Sequence, residues 1–183
     1  NMSQVDRTVL IVGSGSVGRR HARNLSELGY EISVVDPRSD RLYEISKEVP
    51  VKGNYVSLEE ALESANQFLG VVVCSPPKFH VDQAILALNC RIPVMLEKPV
   101  AKTLRGTADL QRIYSDCEKN GGPYLLLGYT WRWWPALQYV KRLINQGSIG
   151  TPHYARFLVS AHLEDWHPWE NYREFFMSSS DLG

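Results

Sequence analysis

A strand that runs straight into a glycine-rich turn constrains this chain more than any other feature. Thr8-Val9-Leu10-Ile11-Val12 is followed without a spacer by Gly13-Ser14-Gly15-Ser16-Val17-Gly18. Helical spacing then takes over: Gly18, Ala22, Leu25 and Leu28 recur on one face, and Gly29 stands where a C-terminal cap belongs. A second apolar run, Ile32-Ser33-Val34-Val35, closes on Asp36. Strand, glycine turn, helix, strand and acid in this order make a βαβ unit carrying the dinucleotide-binding fingerprint.

Each residue type has a physical reason to be there. Gly13 lets the chain turn sharply off the strand, Gly15 lets backbone approach a pyrophosphate, and Gly18 lets the helix pack close to the strand. Ser16 and Val17 open the helix, whose N-terminal N–H groups and partial positive charge suit phosphates. Asp36 lies 18 positions after Gly18. A carboxylate there accepts from ribose hydroxyls and repels a 2′-phosphate, which favours NAD. Arg38 and Arg41 follow closely and leave NADP open, since an arginine here stacks on adenine or binds a 2′-phosphate.

Strands and helices alternate through the first 128 residues, as in a doubly wound α/β Rossmann fold with a parallel sheet. Helices are predicted over about Asp40–Lys47, from the capping-box sequence Ser57-Leu58-Glu59-Glu60, around Val81–Leu88, and around Leu110–Cys117. Strands are predicted near Val51, over Gly70–Cys74, over Ile92–Leu96 and over Tyr124–Leu127. After Gly128 the pattern changes. Trp131, Trp133 and Trp134 precede Pro135, which suits a first helical turn, and Gly147 ends that helix. Tyr154–Val159 reads as a strand, and an aromatic segment, Trp166-His167-Pro168-Trp169 with Tyr172-Arg173, follows. One unpaired strand cannot form a sheet. The expected division is therefore 1–128 as a dinucleotide-binding domain and 129–183 as the truncated start of an α+β domain.

Composition narrows the function classes. Lys plus Arg and Asp plus Glu balance at 20 each, so charge suggests neither a nucleic-acid nor a membrane partner. A hydrophobic share of 44% supports a packed core, yet no run approaches the roughly 18 apolar residues of a membrane span. No signal peptide is visible, and Asn1 reads as a remnant ahead of a native Met2. Cys74, Cys90 and Cys117 lack metal-type spacing and read as free, mostly buried thiols in a reducing cytoplasm. No metal is expected: His162 and His167 have no carboxylate or cysteine partner at ligand spacing.

Two loops at the carboxyl ends of strands carry candidate chemistry. Glu97-Lys98-Pro99 follows the fifth strand, on the edge where open α/β sheets bind ligands. A lysine there polarises a carbonyl or shuttles a proton, Glu97 can orient it, and Pro99 fixes the backbone, through a cis bond if it adopts one. The same pair is also the composition of a solvated loop. Ser75-Pro76-Pro77 follows the fourth strand as a rigid loop able to flank a nicotinamide, with His80 just beyond, which also reads as a locally packed helix-start residue.

These motifs together resemble the glucose-fructose oxidoreductase / inositol dehydrogenase (Gfo/Idh/MocA) family over nearly the whole chain. The resemblance implies NAD(P)-dependent oxidation or reduction of sugars and cyclitols, and a second domain with an open antiparallel sheet that mediates homo-oligomerisation. It assigns Lys98 as the active-site lysine, Gly13, Gly15, Gly18 and Asp36 to the cofactor, and Pro76, His80 and Glu97 to positions lining the nicotinamide. Arg132 matches an arginine near the substrate pocket. The family's further Asp–His pair would lie beyond Asp181-Leu182-Gly183, and the full protein is expected to run to about 300–360 residues.

The aromatic segment is similar to that of members tied to surface-polysaccharide clusters, which implies a sugar or nucleotide-sugar substrate. Trp169 would face sugar C–H surfaces and Arg173 a carboxylate or phosphate; packing at a core or interface is the other reading. Two further functional readings stay open: a non-catalytic dinucleotide sensor or scaffold, and a reductase of a non-sugar substrate.

Overall fold

A computed structural model describes residues 7–162 together with Asp165, Pro168, Asn171, Arg173, Ser178, Ser180 and Asp181. It divides into two compact units, the first running to Gly128 and the second starting at Tyr129.

The first unit is a six-stranded, all-parallel sheet in the order β3-β2-β1-β4-β5-β6. Its strands are β1 (Thr8–Val12), β2 (Glu31–Val35), β3 (Val51–Tyr55), β4 (Phe68–Val73), β5 (Val94–Leu96) and β6 (Leu125–Leu127). Its helices are α1 (Ser16–Glu27), α2 (Ser39–Ser46), α3 (Leu58–Leu62), α4 (Pro77–Asn89) and α5 (Thr107–Lys119). This is the doubly wound order, and its reversal point lies between β1 and β4.

Period-two alternation along the strands builds one core on each face. Leu10, Val12, Val71, Val73, Val94 and Leu96 point to a cluster closed by Leu58 of α3, Ala84 and Leu88 of α4, and Leu110 of α5. Val9, Ile11, Ile32, Val34 and Val72 point the other way, against Ala22 of α1 and Ile45 of α2. Each such aliphatic side chain contributes about 1.5–3 kcal/mol when fully buried. All five residues of β1 are buried, so a one-residue slip would exchange its side chains between the two cores and spoil their packing.

The helix ends follow their sequence signals. Tyr30 N–H donates to Leu25 O at 3.0 Å across Gly29, whose φ is +83°, a left-handed C-terminal cap. Ser57 Oγ accepts from Glu60 N–H at 3.2 Å, but Glu60 Oε2 reaches back to Val56 N–H at 3.0 Å rather than to Ser57. Half of the expected capping box forms.

In the second unit a short 3₁₀ turn, Thr130–Trp133, leads into α6 (Pro135–Asn145), with Pro135 in the first turn. The strand expected over Tyr154–Val159 does not form. The segment makes no ladder pairing among the described residues, and Tyr154 and Val159 are 81% and 73% exposed. An alternating pattern expresses a preference that only a neighbouring strand can turn into hydrogen bonds. No helix among the described residues is long and apolar enough to cross a membrane.

Candidate functional site

The first βα turn and the loop after β4 meet at the sheet's reversal point. Gly13 has φ +90°, and a Cβ on it would lie 2.7 Å from Ser75 N and 2.8 Å from Ser75 Cα. No L side chain suits that backbone or that gap. Gly18 is needed for a different reason: a Cβ there would overlap the Gly13 carbonyl oxygen, so helix α1 packs on the turn itself.

Gly15 is not required by the protein's own packing. A Cβ there would meet nothing nearer than Arg41 Nη1 at 3.8 Å. The space above it lies at the start of α1, whose N-terminus carries no side-chain cap. An open cradle, an uncapped helix start at Ser16 and Val17, and an acid at the end of β2 fit a dinucleotide.

Asp36 is 2% exposed and already committed. Its Oδ2 accepts from both Ser14 N–H and Ser14 Oγ–H at 2.9 Å, and its Oδ1 accepts from Arg38 N–H at 3.0 Å. Arg41 Nη1 stands 3.9 Å from Oδ2. Arg38 turns its guanidinium to Asp40 instead, with Nε 3.1 Å from Oδ1. The carboxylate thus anchors the glycine turn, and Arg41 rather than Arg38 stands beside both Asp36 and Gly15.

The second half of the site lies at the carboxyl ends of β4 and β5. Ser75 Oγ donates to Gln83 Oε1 of α4 at 2.6 Å. His80 is 1% exposed, with Nε2 2.7 Å from Ser75 O and Nδ1 2.8 Å from Pro99 O. Both facing atoms are backbone carbonyl oxygens. His80 therefore ties the Ser75 loop to the Lys98-Pro99 loop. With both nitrogens spent on backbone, it lines the site through those loops and offers no ring nitrogen of its own. The Lys98–Pro99 peptide bond is cis.

Glu97 is 7% exposed, Lys98 exposed. Glu97 Oε1 lies 2.9 Å from His21 Nε2 on α1, and Oε2 accepts from Lys98 N–H at 3.1 Å. Burial raises the Glu97 pKa, but the bonds from His21 and the Lys98 N–H, with the charges of both residues, outweigh it and hold the carboxyl below its ordinary value. Burial first, and then the Glu97 charge, push the nearby Cys74 thiol up, so it stays protonated and unreactive. All three cysteines are free.

Residues 7–126 match the family model for the Gfo/Idh/MocA oxidoreductases, described as an NAD-binding Rossmann fold. The chain belongs to this family. Among its relatives, a myo-inositol 2-dehydrogenase of Thermotoga maritima is 30% identical over 148 residues, covering 80% of this chain and 43% of that protein. A D-apiose dehydrogenase of Paraburkholderia graminis is 30% identical over 148 residues, covering 80% and 38%. The solved structure of scyllo-inositol dehydrogenase from Lactobacillus casei, with bound NAD(H) and scyllo-inositol, superposes with a TM-score of 0.70 at 26% identity, covering 78% of this chain and 42% of that one. The chain thus spans less than half the length of these relatives.

In this Gfo/Idh/MocA chain, the first unit places Gly13, Gly15, Ser16, Val17 and Gly18 after β1, Asp36 after β2, Ser75 and Pro76 after β4, and Glu97 and Lys98 after β5, all at the carboxyl ends of the strands. Arg132 belongs to the second unit, exposed in its 3₁₀ turn, where Gln138 donates to its carbonyl oxygen. Arg173 is exposed, with its N–H donating to Asn171 Oδ1 at 3.1 Å. Trp169 lies outside the described residues, as do Trp166, His167 and Tyr172. His162, read as an unpartnered candidate ligand, stands 3.8 Å from Asp165.

Four contributors escape the sequence reading: Ser14, His21, Gln83 and Gly128. His21 had a usable signal. It lies one helical turn after Gly18, on the face that packs against the sheet.

Proposed function

We propose that the protein oxidises a secondary alcohol of a cyclitol, sugar or nucleotide-sugar with NAD, with Lys98 as the proton-handling residue. One observation carries this reading most directly. Glu97 fixes the Lys98 backbone at the carboxyl end of β5, adjacent to the β4 loop that touches the glycine turn. Inositol and apiose dehydrogenases among the relatives support the alcohol substrate and favour an enzyme over a sensor.

NAD, when bound, supplies the hydride acceptor. The chain's own residues do the rest. Asp36 offers its carboxylate to ribose hydroxyls while bracing Ser14, and the first turn of α1 faces the phosphates. The Ser75-Pro76-Pro77 loop, pinned by His80 and Gln83, forms a rigid wall at the reacting end. Lys98, carried on an exposed side chain, takes the hydroxyl proton as the carbinol carbon loses hydride. Arg132, Trp169 and Arg173 are assigned to the substrate side, the last two to an anionic or nucleotide-linked sugar. Homo-oligomerisation through the second domain belongs to the same proposal.

The test is NADH formation by the full-length protein with myo-inositol, scyllo-inositol, apiose and a panel of nucleotide sugars. Lys98→Ala should lower turnover at least about a hundredfold while NADH binding stays within about threefold. Tight NADH binding with no turnover on any member of the panel would sink the reading.

A further inference from the structure

Helix α1 reaches the chemical end of the site through one side chain. His21 Nε2 lies 2.9 Å from Glu97 Oε1, across 76 residues of sequence. The opposite oxygen of the same carboxylate holds the Lys98 N–H at 3.1 Å. Gly128, just past β6, closes the remaining side: a Cβ there would stand 3.1 Å from both Cα and Cδ of Glu97. Glu97 is therefore held from α1 by an imidazole, from β6 by bare backbone, and spends its second oxygen on the next residue's amide.

We infer that His21 is a positioning residue for Lys98. Through Glu97 it fixes the backbone from which the lysine side chain departs. It also links that backbone to α1, whose first turn is the phosphate end of the site and which is locked to Gly13 through Gly18. A contact path runs from the glycine turn through Gly18, along α1 to His21, and across Glu97 to Lys98. Without the His21 bond, a buried carboxylate oxygen loses its partner, and the carboxylate can turn away from the Lys98 amide. The catalytic consequence rests on the proposed role of Lys98; the positioning itself does not.

The test compares His21→Leu, which removes the bond, with His21→Gln, whose amide Nε2 can donate to Glu97. The readout is hydrogen exchange at the Lys98 amide of the full chain, followed by NMR, with the Leu10 and Val34 amides as core references. His21→Leu should speed exchange at Lys98 by at least about tenfold, and His21→Gln should stay within about threefold of wild type, with both references unchanged. NADH binding should hold within about twofold in both. Where an alcohol substrate is found, His21→Leu should lower kcat about tenfold at constant KM for NAD, and His21→Gln should restore it.

Wild-type exchange at Lys98 in His21→Leu overturns the inference. So does a His21→Gln variant as impaired as His21→Leu, or an equal rise at the core amides, which would mark a packing role. Should His21→Leu fail to fold, His21→Asn, too short to reach Glu97, must show the same fast exchange. Because amide exchange needs no substrate, an inactive protein would defeat the proposed function and leave this result standing.

Discussion

Gly18 packs so tightly on Gly13 that a Cβ on it would overlap the Gly13 carbonyl oxygen. Alanine normally favours a helix over glycine by about 1 kcal/mol. Here backbone stands in the way, and backbone cannot rotate aside as a flexible side chain can. Gly18→Ala should therefore lose about 1–3 kcal/mol in urea unfolding and weaken NADH binding with it. Gly15 separates the two effects, since its nearest would-be neighbour is Arg41 Nη1 at 3.8 Å. Gly15→Ala should fold within about 0.5 kcal/mol of wild type yet bind NADH at least about tenfold more weakly. Equal stability losses in the two variants would contradict this division of roles.

Asp36 supports the glycine turn through Ser14. Its Oδ2 takes two bonds from Ser14, each at 2.9 Å, in a site only 2% exposed. Ser14→Ala removes the hydroxyl bond alone and should cost about 1 kcal/mol of stability. Asp36→Ala leaves the Ser14 N–H without its acceptor and should cost about 1–3 kcal/mol more than a surface substitution does. It should also narrow the preference for NADH over NADPH, because the repulsive carboxylate goes while Arg41 stays. Fluorescence titrations with both cofactors check this; an unchanged preference would move the discrimination elsewhere.

The His21–Glu97–Lys98 arrangement gives the protein an acid-sensitive component of stability. The Glu97 carboxyl is held below its ordinary value of 4.5, so the folded state releases this proton more readily than the unfolded chain does. The stabilisation is present in full above that ordinary value and drains away as pH falls through the lowered folded one. Wild type should thus lose stability in the acid range more steeply than Glu97→Gln, while the two profiles run parallel near neutrality. Urea midpoints measured stepwise into acid give the comparison, and coincident slopes would remove Glu97 from the acid response.

What the sequence made legible was whatever is written in local order. Strand, turn, helix and acid appear consecutively between Thr8 and Asp36, so the first βαβ unit could be read from a window shorter than 30 residues. The parallel sheet followed from alternation of element types, and Glu97-Lys98 from its place after a strand. Contacts that depend on tertiary assembly were out of reach. His21 meets Glu97 only because α1 packs on a sheet in which β4 lies between β1 and β5. Asp36 reads as a ribose ligand because its offset is local; that it also braces Ser14 depends on how far the turn folds back. Tyr154–Val159 shows the opposite failure, a strand pattern without a ladder partner among the described residues.

Arg91 occupies a position that glycine takes elsewhere in this chain. At the end of α4, Ile92 N–H donates to Ala87 O at 3.1 Å and Arg91 N–H to Leu88 O at 2.9 Å, the left-handed cap geometry. Gly29 after α1 and Gly147 after α6 serve this turn with φ of +83° and +67°, whereas Arg91 adopts it with φ of +59° and a side chain attached. An L residue there costs about 1–2 kcal/mol relative to the right-handed region, and the larger backbone freedom of an unfolded glycine offsets part of any relief. Arg91→Gly should raise stability by about 0.5–1 kcal/mol at unchanged urea m-value, while Arg91→Ala, which keeps the Cβ, should gain nothing. The turn leads into the amino end of β5, opposite the edge that carries Lys98, so NADH binding should not change in either variant. A destabilised Arg91→Gly would show that the Arg91 side chain contributes more than its backbone strain costs.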